Sequence, residues 1–362
     1  MTRLSIFLIL VLASTIGVLA QITIRSGTEV KVKGQLSTYG FLVNNSDKLD
    51  LTEGELSLIG TNQTLSTISP LTSQSLSIDG EGIKTMQGEW IITNNLIFTK
   101  GILLPATGKV LYTGNTTLTG NTASFINGPM FQRGAGTRFF PIGSGNAYMP
   151  MSLNNVKDAG AEIKAEAFNA GANLSLPEDL SALATNRYWQ LSASGGTWDA
   201  SSASLYVPGS SVDAASALVV VQADDANGAT AINLGGGVTN DFVTSFSAIN
   251  KPVLTIGVAK EVNIQIHDLI TPFNADNVND HLKIVNVEFT FRNKVTLLDR
   301  WGVVVKEWID FRNYDDPANP NSDSFDFSKL GPGNYICILE YQLTADAPEA
   351  KLTQMISVLK GN

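Results

Sequence analysis

The sequence predicts an all-β protein, and three features lead to that class. Charged residues make up only 16% of the 362 residues, whereas a typical globular chain has about 25%. Short runs of alternating apolar and polar residues end at Gly, Asn, Asp or Thr, and the chain has 32 glycines. Sustained helical periodicity is missing. Because 43% of the residues are apolar, the chain has enough nonpolar surface to form a core.

Residues 1–20 have the pattern of a cleaved secretory signal peptide. Arg3 precedes the apolar run LSIFLILVL, and small or aliphatic residues follow up to Ala20. The alternative is a membrane anchor, but the unbroken apolar run is shorter than the roughly 20 residues that span a bilayer. We therefore expect cleavage after Ala20 and export of a chain that begins at Gln21.

Residues 21–122 are predicted to form a parallel β-solenoid. Strand-like pieces such as EVKVKG, GELSLIG and GKVLYTG recur loosely, often with Gly at an edge. In a solenoid each coil buries its apolar face by stacking on its neighbours, and loose repeats of this kind are typical of that arrangement. The repeat is irregular, so an ordinary antiparallel sandwich stays open as the alternative.

Two further β-rich domains are predicted after the solenoid. Residues 123–260 contain strand candidates separated by turn residues, which is typical of a β-sandwich. Within this region, residues 174–185 are the best candidate for a short helical turn. Residues 261–362 again alternate apolar and polar residues over a length that fits a compact immunoglobulin-like β-sandwich.

Three motifs in the third domain carry a resemblance to a known family. Thr271-Pro272 with residues 274–280 (NADNVND) resembles T-P-N-G-D-G-x-N-D, residues 294–302 (KVTLLDRWG) resemble K-x-x-I-F-N-R-W-G, and residues 330–335 (LGPGNY) resemble L-P-x-G-T-Y. In this order, these motifs resemble the gliding-motility-associated C-terminal domain of exported Bacteroidetes proteins, which is the type B sorting domain of the type IX secretion system. The sorting-motif residues are Thr271, Pro272, Asp299, Arg300, Trp301, Gly302, Gly333 and Tyr335.

The resemblance implies export in two steps. The signal peptide directs the chain across the inner membrane, and the type IX translocon then recognises the C-terminal domain. It also implies a location at the cell surface, in association with the outer membrane, or outside the cell. An outer-membrane β-barrel protein of the PorP/SprF type is a further implied partner. The chain departs from the family pattern at four residues: Phe273 is inserted, Ala275 and Asn277 replace glycines, and Asp299 replaces Asn.

The opening motif also suggests a metal site. Asn274, Asp276, Asn279 and Asp280 offer several side-chain oxygens close together in the sequence, and calcium takes about six to eight oxygen ligands. The alternative is a turn in which Asp and Asn bond their own backbone. The lost glycines favour the turn, because a tight metal loop uses their backbone freedom. Calcium is the one cofactor that the sequence suggests, and the turn is the preferred interpretation.

Trp301 has two interpretations. It is either a recognition feature for the secretion machinery or a core or edge residue whose neighbour Gly302 allows the turn. Packing is the preferred interpretation, because a large aromatic side chain is usually mostly buried. Both interpretations are compatible, since a machine that recognises a folded domain recognises a surface that packing creates.

Composition excludes several classes of function. A net charge of -9 and a pI near 4.8 argue against nucleic acid as a partner. The chain has two His, His267 and His281, and one Cys, Cys337, which exclude an internal disulfide and a Cys/His zinc site. No His precedes position 267, so the first two domains lack a Ser-His-Asp arrangement. Asp79 and Glu81 read as a solvated pair, and we predict that the protein is not an enzyme.

The favoured function is an exported structural or adhesin-like protein of the cell surface. One alternative is a carbohydrate-binding or carbohydrate-degrading surface protein, and another is an accessory component of the secretion or gliding machinery. Sugar binding would use an aromatic platform, although aromatic residues at this spacing more often form core and cross-strand pairs. The platform candidates are Tyr188, Trp189, Trp198 and Tyr206. Outside the secretion machinery, the predicted partners are a surface polysaccharide or a second copy of the chain.

Overall fold

The computed structural model describes residues 21–208, 218–260, 263–273, 279–314, 325–343 and 349–360. Within these ranges the regular structure is β-strand apart from two 3-10 turns, Val287–Phe289 and Phe327–Lys329. The all-β prediction is confirmed. None of the helical segments in the described part of the chain has the length and apolar character needed to cross a bilayer. The predicted signal peptide, residues 1–20, lies outside the described residues.

An N-terminal β-solenoid is confirmed. Its strands pair in parallel, and the register steps from Ile22 to Leu42, Leu65 and Met86, that is, by 20, 23 and 21 residues per coil. The long last strand passes through successive coils, and glycines with positive φ, such as Gly82, Gly88 and Gly101, lie where it turns. The strands are β1 (Ile22–Ile24), β2 (Val30–Thr38), β3 (Leu42–Asn44), β4 (Leu49–Leu58), β5 (Gln63–Thr67) and β6 (Leu71–Tyr112).

Close stacking of coils explains the glycines at the edges of the repeats. Gly60, Gly80 and Gly101 lie above one another in successive coils, and a Cβ on Gly80 would come 2.1 Å from the carbonyl oxygen of Gly60. A Cβ on Gly101 would approach the carbonyl oxygen of Gly80 to the same 2.1 Å. Glycine is therefore required at these three positions. The close stacking also buries leucines such as Leu56 and Leu65 completely.

Lys84 is a buried cation at a corner of the solenoid. Its side chain is fully buried, and Nζ donates hydrogen bonds to the carbonyl oxygens of Gly60 at 2.5 Å, Thr61 at 2.8 Å and Glu81 at 2.7 Å. Burial lowers the pKa of Lys84 to about 8, because desolvation disfavours the charged form. The three carbonyl acceptors compensate for the lost water, so Lys84 joins the corners of neighbouring coils.

The sheet changes from parallel to antiparallel after the solenoid. β8 lies parallel to the end of β6, with Phe131 opposite Leu111, and antiparallel to β13 on its other side. The strands of this region are β7 (Ile126–Asn127), β8 (Met130–Arg133), β9 (Gly136–Phe140), β10 (Ile142–Ser144), β11 (Ala147–Tyr148), β12 (Met151–Val156), β13 (Glu162–Phe168), β14 (Asn173–Ser175), β15 (Leu180–Leu183), β16 (Tyr188–Ser194), β17 (Ser202–Tyr206), β18 (Leu218–Ala223), β19 (Asn227–Thr230), β20 (Ile232–Asn233), β21 (Gly237–Thr239), β22 (Phe242–Thr244) and β23 (Val253–Ala259).

The central region contains two larger sheets. One continues the solenoid sheet through β8, β13, β16, β23 and β18, and the other has the order β21-β22-β17-β12-β9. Trp189 on β16 is fully buried, and its Nε1 donates a 2.9 Å hydrogen bond to the carbonyl oxygen of Met149, just before β12. The predicted sandwich and the predicted boundary between residues 122 and 123 stay predictions.

The helical turn predicted in residues 174–185 is present only as a single hydrogen-bonded turn, in which Leu180 N donates to Pro177 O at 3.2 Å. This segment contributes to two strands, β14 and β15, and β15 pairs with β23, where Leu183 lies opposite Gly257. Leu180 is buried in a small cluster with Val219 and Val221 of β18. Pairing with a strand distant in the sequence therefore overrides the local helical signal.

Residues 260–362 form a separate compact unit. Its main sheet has five strands in the order β25-β30-β29-β27-β28, and β24 pairs with β26 in a second, two-stranded sheet. The immunoglobulin-like assignment stays a prediction. The strands are β24 (Gln265–Ile266), β25 (Leu269–Ile270), β26 (Ile284–Val285), β27 (Arg292–Leu298), β28 (Val304–Ile309), β29 (Gly333–Gln342) and β30 (Ala350–Val358).

Candidate functional site

The strand registers bring the three sequence motifs to one end of the five-stranded sheet. Leu298 at the end of β27 lies opposite Ile336 near the start of β29. Gly333, the first residue of β29, lies opposite Val358, and Val358 also pairs with Ile270 at the end of β25. The DRWG turn follows β27, Gly333 begins β29, and Thr271 follows β25. We call this end of the sheet the motif end.

The turn between β27 and β28 is built around Asp299. Its Oδ1 accepts hydrogen bonds from the backbone N–H groups of Trp301 at 2.8 Å and Val303 at 2.9 Å. The backbone closes the same turn, because Gly302 N donates to Asp299 O at 3.0 Å and Asp299 N donates to Val303 O at 2.9 Å. Gly302 has a φ of 80°, which favours glycine. Both side-chain bonds reach one oxygen, so the family's Asn can build the same turn as Asp299.

Trp301 projects from this turn into solvent. Its side chain is 78% exposed, so the interpretation of Trp301 as a packed residue is wrong. The Arg300 guanidinium lies 5.4 Å from the centroid of the indole ring, within the range of a cation–π contact. The Asp299 hydrogen bonds hold the turn backbone in place, so the tip presents an aromatic ring and a cation together.

The LGPGNY motif supports the motif end from β29. Gly333 opens the strand, and Tyr335, two residues later, packs partly buried against the core of this unit. The Tyr335 hydroxyl donates a 2.9 Å hydrogen bond to the carbonyl oxygen of Gly331. Tyr335 therefore fixes the chain that enters β29, next to the level of the DRWG turn.

The structure describes the acidic loop only in part. Of the proposed calcium ligands, Asn274 and Asp276 lie outside the described residues, whereas Asn279 and Asp280 lie within them. The ends of the loop are close, because Thr271 N donates a 2.7 Å hydrogen bond to Asn279 O. Among the described residues, no group of three or more His, Cys, Asp or Glu is arranged to hold a metal ion. The choice between calcium loop and turn stays a prediction.

The remaining candidate residues lie in environments that fit a structural role rather than a catalytic one. Trp189 lies in the core, and Tyr188 stacks on Phe168 with the ring centroids 4.6 Å apart. Asp79 and Glu81 are exposed, as a solvated pair would be. Burial raises the pKa of the Cys337 thiol to about 12, so this thiol stays protonated and is a poor nucleophile at neutral pH.

A set of apolar residues that the sequence motifs do not identify faces away from the core of the C-terminal unit. Leu298, Val304, Ile336 and Met355 lie on adjacent strands near the motif end. A signal was present, because TLLD and YICIL contain consecutive apolar residues. In a strand, consecutive apolar residues place nonpolar side chains on both faces of the sheet.

The region that contains the three motifs also matches a known family model. Residues 264–355 match the family model described as CHU_C Type IX secretion signal domain. No curated protein and no solved structure gives a significant match to the chain. The resemblance inferred from the three motifs is confirmed. Residues 264–355 thus correspond to a type IX secretion signal domain, which indicates a protein sorted by that system and implies export to the cell surface or the exterior.

Proposed function

We propose that the protein is a structural or adhesin-like component of the cell surface without enzymatic activity. The observation that carries the proposal is the match of residues 264–355 to a type IX secretion signal domain. In the proposed route, residues 1–20 direct passage across the inner membrane and are removed. The folded C-terminal unit is then recognised by the type IX translocon, and an outer-membrane β-barrel protein of the PorP/SprF type retains the exported chain.

The solenoid supports a structural role for the exported part. Its coils stack in parallel, and each stacked strand adds about 4.8 Å to the length of the molecule. Asp79 and Glu81, the paired carboxylates of this region, are exposed to water. Lys31 and Lys33 on the first coil bond to Glu53 on the next coil at 2.8 and 3.0 Å. Charges of this kind blunt an open sheet edge against uncontrolled pairing.

The experiment that tests sorting is cell fractionation of two tagged chains in the native host. The full-length protein and a chain that ends at residue 260 both carry a tag after residue 21. We expect the full-length protein at the surface or in the medium and the truncated chain in the periplasm. If both chains reach the same compartment, the C-terminal unit does not direct sorting and the proposed route is wrong.

One feature favours the carbohydrate-binding alternative for the exported part. A cavity of about 360 Å³ between the end of the solenoid and the β8–β9 turn is lined by polar side chains, including Thr116, Thr117, Gln132 and Thr137. Hydroxyl and amide groups are suited to the hydroxyls of a sugar. We expect Thr117→Val to weaken binding to a purified surface polysaccharide by about fivefold if this cavity is used, whereas the control Thr119→Val leaves it unchanged. Equal binding by both variants would exclude the cavity as a sugar site.

A further inference from the structure

An apolar row crosses the open face of the C-terminal sheet. Val304 on β28 lies opposite Leu298 on β27, Leu298 lies opposite Ile336 on β29, and Ile336 lies opposite Met355 on β30. Neighbours on a sheet face contact one another across strands. These residues therefore form a continuous band over four strands, which we call the apolar row: Leu298, Val304, Ile336 and Met355.

The apolar row lies on the face opposite the core. Leu297, Cys337 and Ile356 immediately precede or follow row residues in the chain, and all three are buried in the core of this unit. Successive side chains in a strand point to opposite faces, so Leu298, Ile336 and Met355 point away from that core. Val304 belongs to the row because it pairs with Leu298. Val304 and Met355 are 54% and 59% exposed, which shows that the row is in contact with water.

The apolar row is continuous with the tip of the DRWG turn. Trp301 and Val303 lie in the turn that joins β27 to β28, between Leu298 and Val304, and Val303 is 61% exposed. Together with the row, these two residues form what we call the docking surface. It presents on the order of 500 Å² of apolar area, which is within the range of the largest patches on monomeric proteins, and such patches are often functional.

Charged residues lie at two sides of the docking surface. Toward the far end of the same face, Lys294 bonds to Glu307 at 2.7 Å and Lys351 bonds to Glu340 at 3.2 Å, so ion pairs border the apolar area. At the tip, the Arg300 guanidinium stacks on Trp301. An apolar centre with a polar rim is the usual anatomy of a protein interface. The cation at the tip favours a partner with acidic groups around its apolar recess.

We propose that the docking surface binds the component of the type IX machinery that recognises the sorting domain, through an apolar recess with an acidic rim on that component. The inference rests on the proposed function and adds the surface that is recognised. A standard interface buries about 800 Å² on each partner, and somewhat more than half of that area is apolar. The docking surface therefore has the apolar area that one partner of ordinary size needs, and the Arg300 cation at the tip favours an acidic partner. The aromatic tip supplies the anchor, and the row supplies the apolar area that is desolvated around it.

The test compares export of full-length variants in the native host. The double variant Val304→Thr with Met355→Thr makes the row polar and keeps good strand formers. Trp301→Ser removes the anchor. The matched control is Ile309→Thr, because Ile309 is 71% exposed on β28 and lies opposite Lys294, outside the docking surface. Thermal unfolding of each purified full chain verifies that the variants fold.

We expect the double variant and Trp301→Ser each to lower the exported fraction at least tenfold, with accumulation in the periplasm and unchanged melting temperatures. Ile309→Thr should be exported like the wild type. If the chain that ends at residue 260 is retained but both docking-surface variants are exported normally, the inference fails while the sorting function stands. If Ile309→Thr is retained as strongly as the double variant, the effect is not specific to the docking surface and the inference fails.

Two further measurements decide between occupants of the docking surface. Light scattering of the purified wild type should give a monomer. A dimer that the double variant dissociates would overturn the proposal in favour of a second copy of the chain. Sedimentation with vesicles of outer-membrane lipid should leave the wild type in the supernatant. Vesicle binding that Trp301→Ser abolishes would overturn the proposal in favour of a membrane surface.

Discussion

The solenoid and the C-terminal sheet cover their apolar residues in different ways. In the solenoid, Leu56 and Leu65 are fully buried, because each coil lies between two others. In the C-terminal sheet, Cys337 and Leu339 are equally buried on one face, while Val304 and Met355 on the other face are more than half exposed. A repeat covers itself by stacking, whereas a single sheet has a second face that needs a partner or water. The same β-rich composition therefore gives coils that bury their own apolar residues in one region and an open sheet face in the other.

The distribution of exposed apolar side chains between the two units supports this comparison. Of seventeen large apolar side chains that are exposed in the described residues, ten lie in the unit that begins at Lys260, although it is much the shorter of the two. Six of these ten lie near the motif end: Phe273, Trp301, Val303, Val304, Met355 and Leu359. The excess of exposed apolar surface is thus concentrated where the sorting motifs meet.

The largest expected loss of stability comes from a substitution that prevents the solenoid coils from stacking closely. Gly80→Ala places a Cβ 2.1 Å from the carbonyl oxygen of Gly60, so the two coils must separate. We expect a loss of about 4 kcal/mol in the free energy of unfolding of the solenoid. Hydrogen-exchange mass spectrometry of the full chain measures this for each unit separately. The control is Gly331→Ala, where no atom lies within 4 Å of the added Cβ. Protection in residues 49–112 that stays within about 1 kcal/mol of the wild type would contradict the stacking argument.

Substitution of a buried and an exposed tryptophan compares the packed and the solvent-exposed parts of the C-terminal unit. Trp308 is 6% exposed and packs against Phe311, Phe325 and Phe327, with ring centroids 5.6 to 6.3 Å apart. Trp308→Ala should lower the free energy of unfolding of this unit by about 3–5 kcal/mol, because it leaves a large cavity. Trp301→Ala should change it by less than about 0.5 kcal/mol, because its ring is in solvent. Denaturant unfolding of both variants measures the difference, and similar losses would show that Trp301 is packed.

Lys84 should make the stability of the solenoid depend on pH in the alkaline range. In the folded chain its proton leaves at about pH 8, whereas an ordinary lysine has a pKa of 10.5. Between these values the unfolded state binds more protons, so stability rises with pH. Relative to Lys84→Met, the wild type should gain on the order of 1–2 kcal/mol between pH 7 and pH 11. Lys48→Met, at an exposed lysine of the same region, provides the control for the loss of one lysine.

The smallest expected effect concerns an exposed ion-pair cluster on the first two coils. Hydrogen bonds from Thr52, followed by the Lys31 ammonium, lower the pKa of Asp50 to about 2. The contribution of the Asp50 carboxylate to folding stability is therefore present above about pH 4 and is lost as the pH falls through 2. Asp50→Asn should cost no more than about 0.5 kcal/mol at pH 7, because solvent screens the pair. Thermal melts at pH 7 and pH 2 check this, and a difference that persists at pH 2 would rule out the ionised form as its source.

The sequence was informative about the solenoid because its signals are local. Gly at the edges of short apolar runs indicated closely stacked coils, and the Gly60, Gly80 and Gly101 column confirms that interpretation. The position of Lys84 was hidden, because its three acceptors come from two coils and only Glu81 is near in sequence. Most of residues 174–185 is strand rather than helical turn for a related reason, since β15 is stabilised by β23, far along the chain.

At the candidate site, too, some features could be identified from residue order and others depended on the tertiary structure. The DRWG and LGPGNY motifs were identifiable from residue order, and so was the turn at Gly302. The exposure of Trp301 was not, because residue type favours burial and only the Asp299 turn decides where the ring points. The apolar row was also hidden, since each of its residues looks like an ordinary strand residue until the pairing of four strands is known.

By itself, the sequence determined the β class, the solenoid and the sorting motifs, because alternation, turn residues and short motifs are encoded within a few neighbouring positions. The tertiary structure decided the register that gathers Thr271, the DRWG turn and Gly333 at one end of the sheet. It also decided which face of that sheet stays open. Register is a property of strands that are far apart in the chain, and a slip of one residue would exchange the two faces. The surface available to a partner is therefore set by long-range pairing.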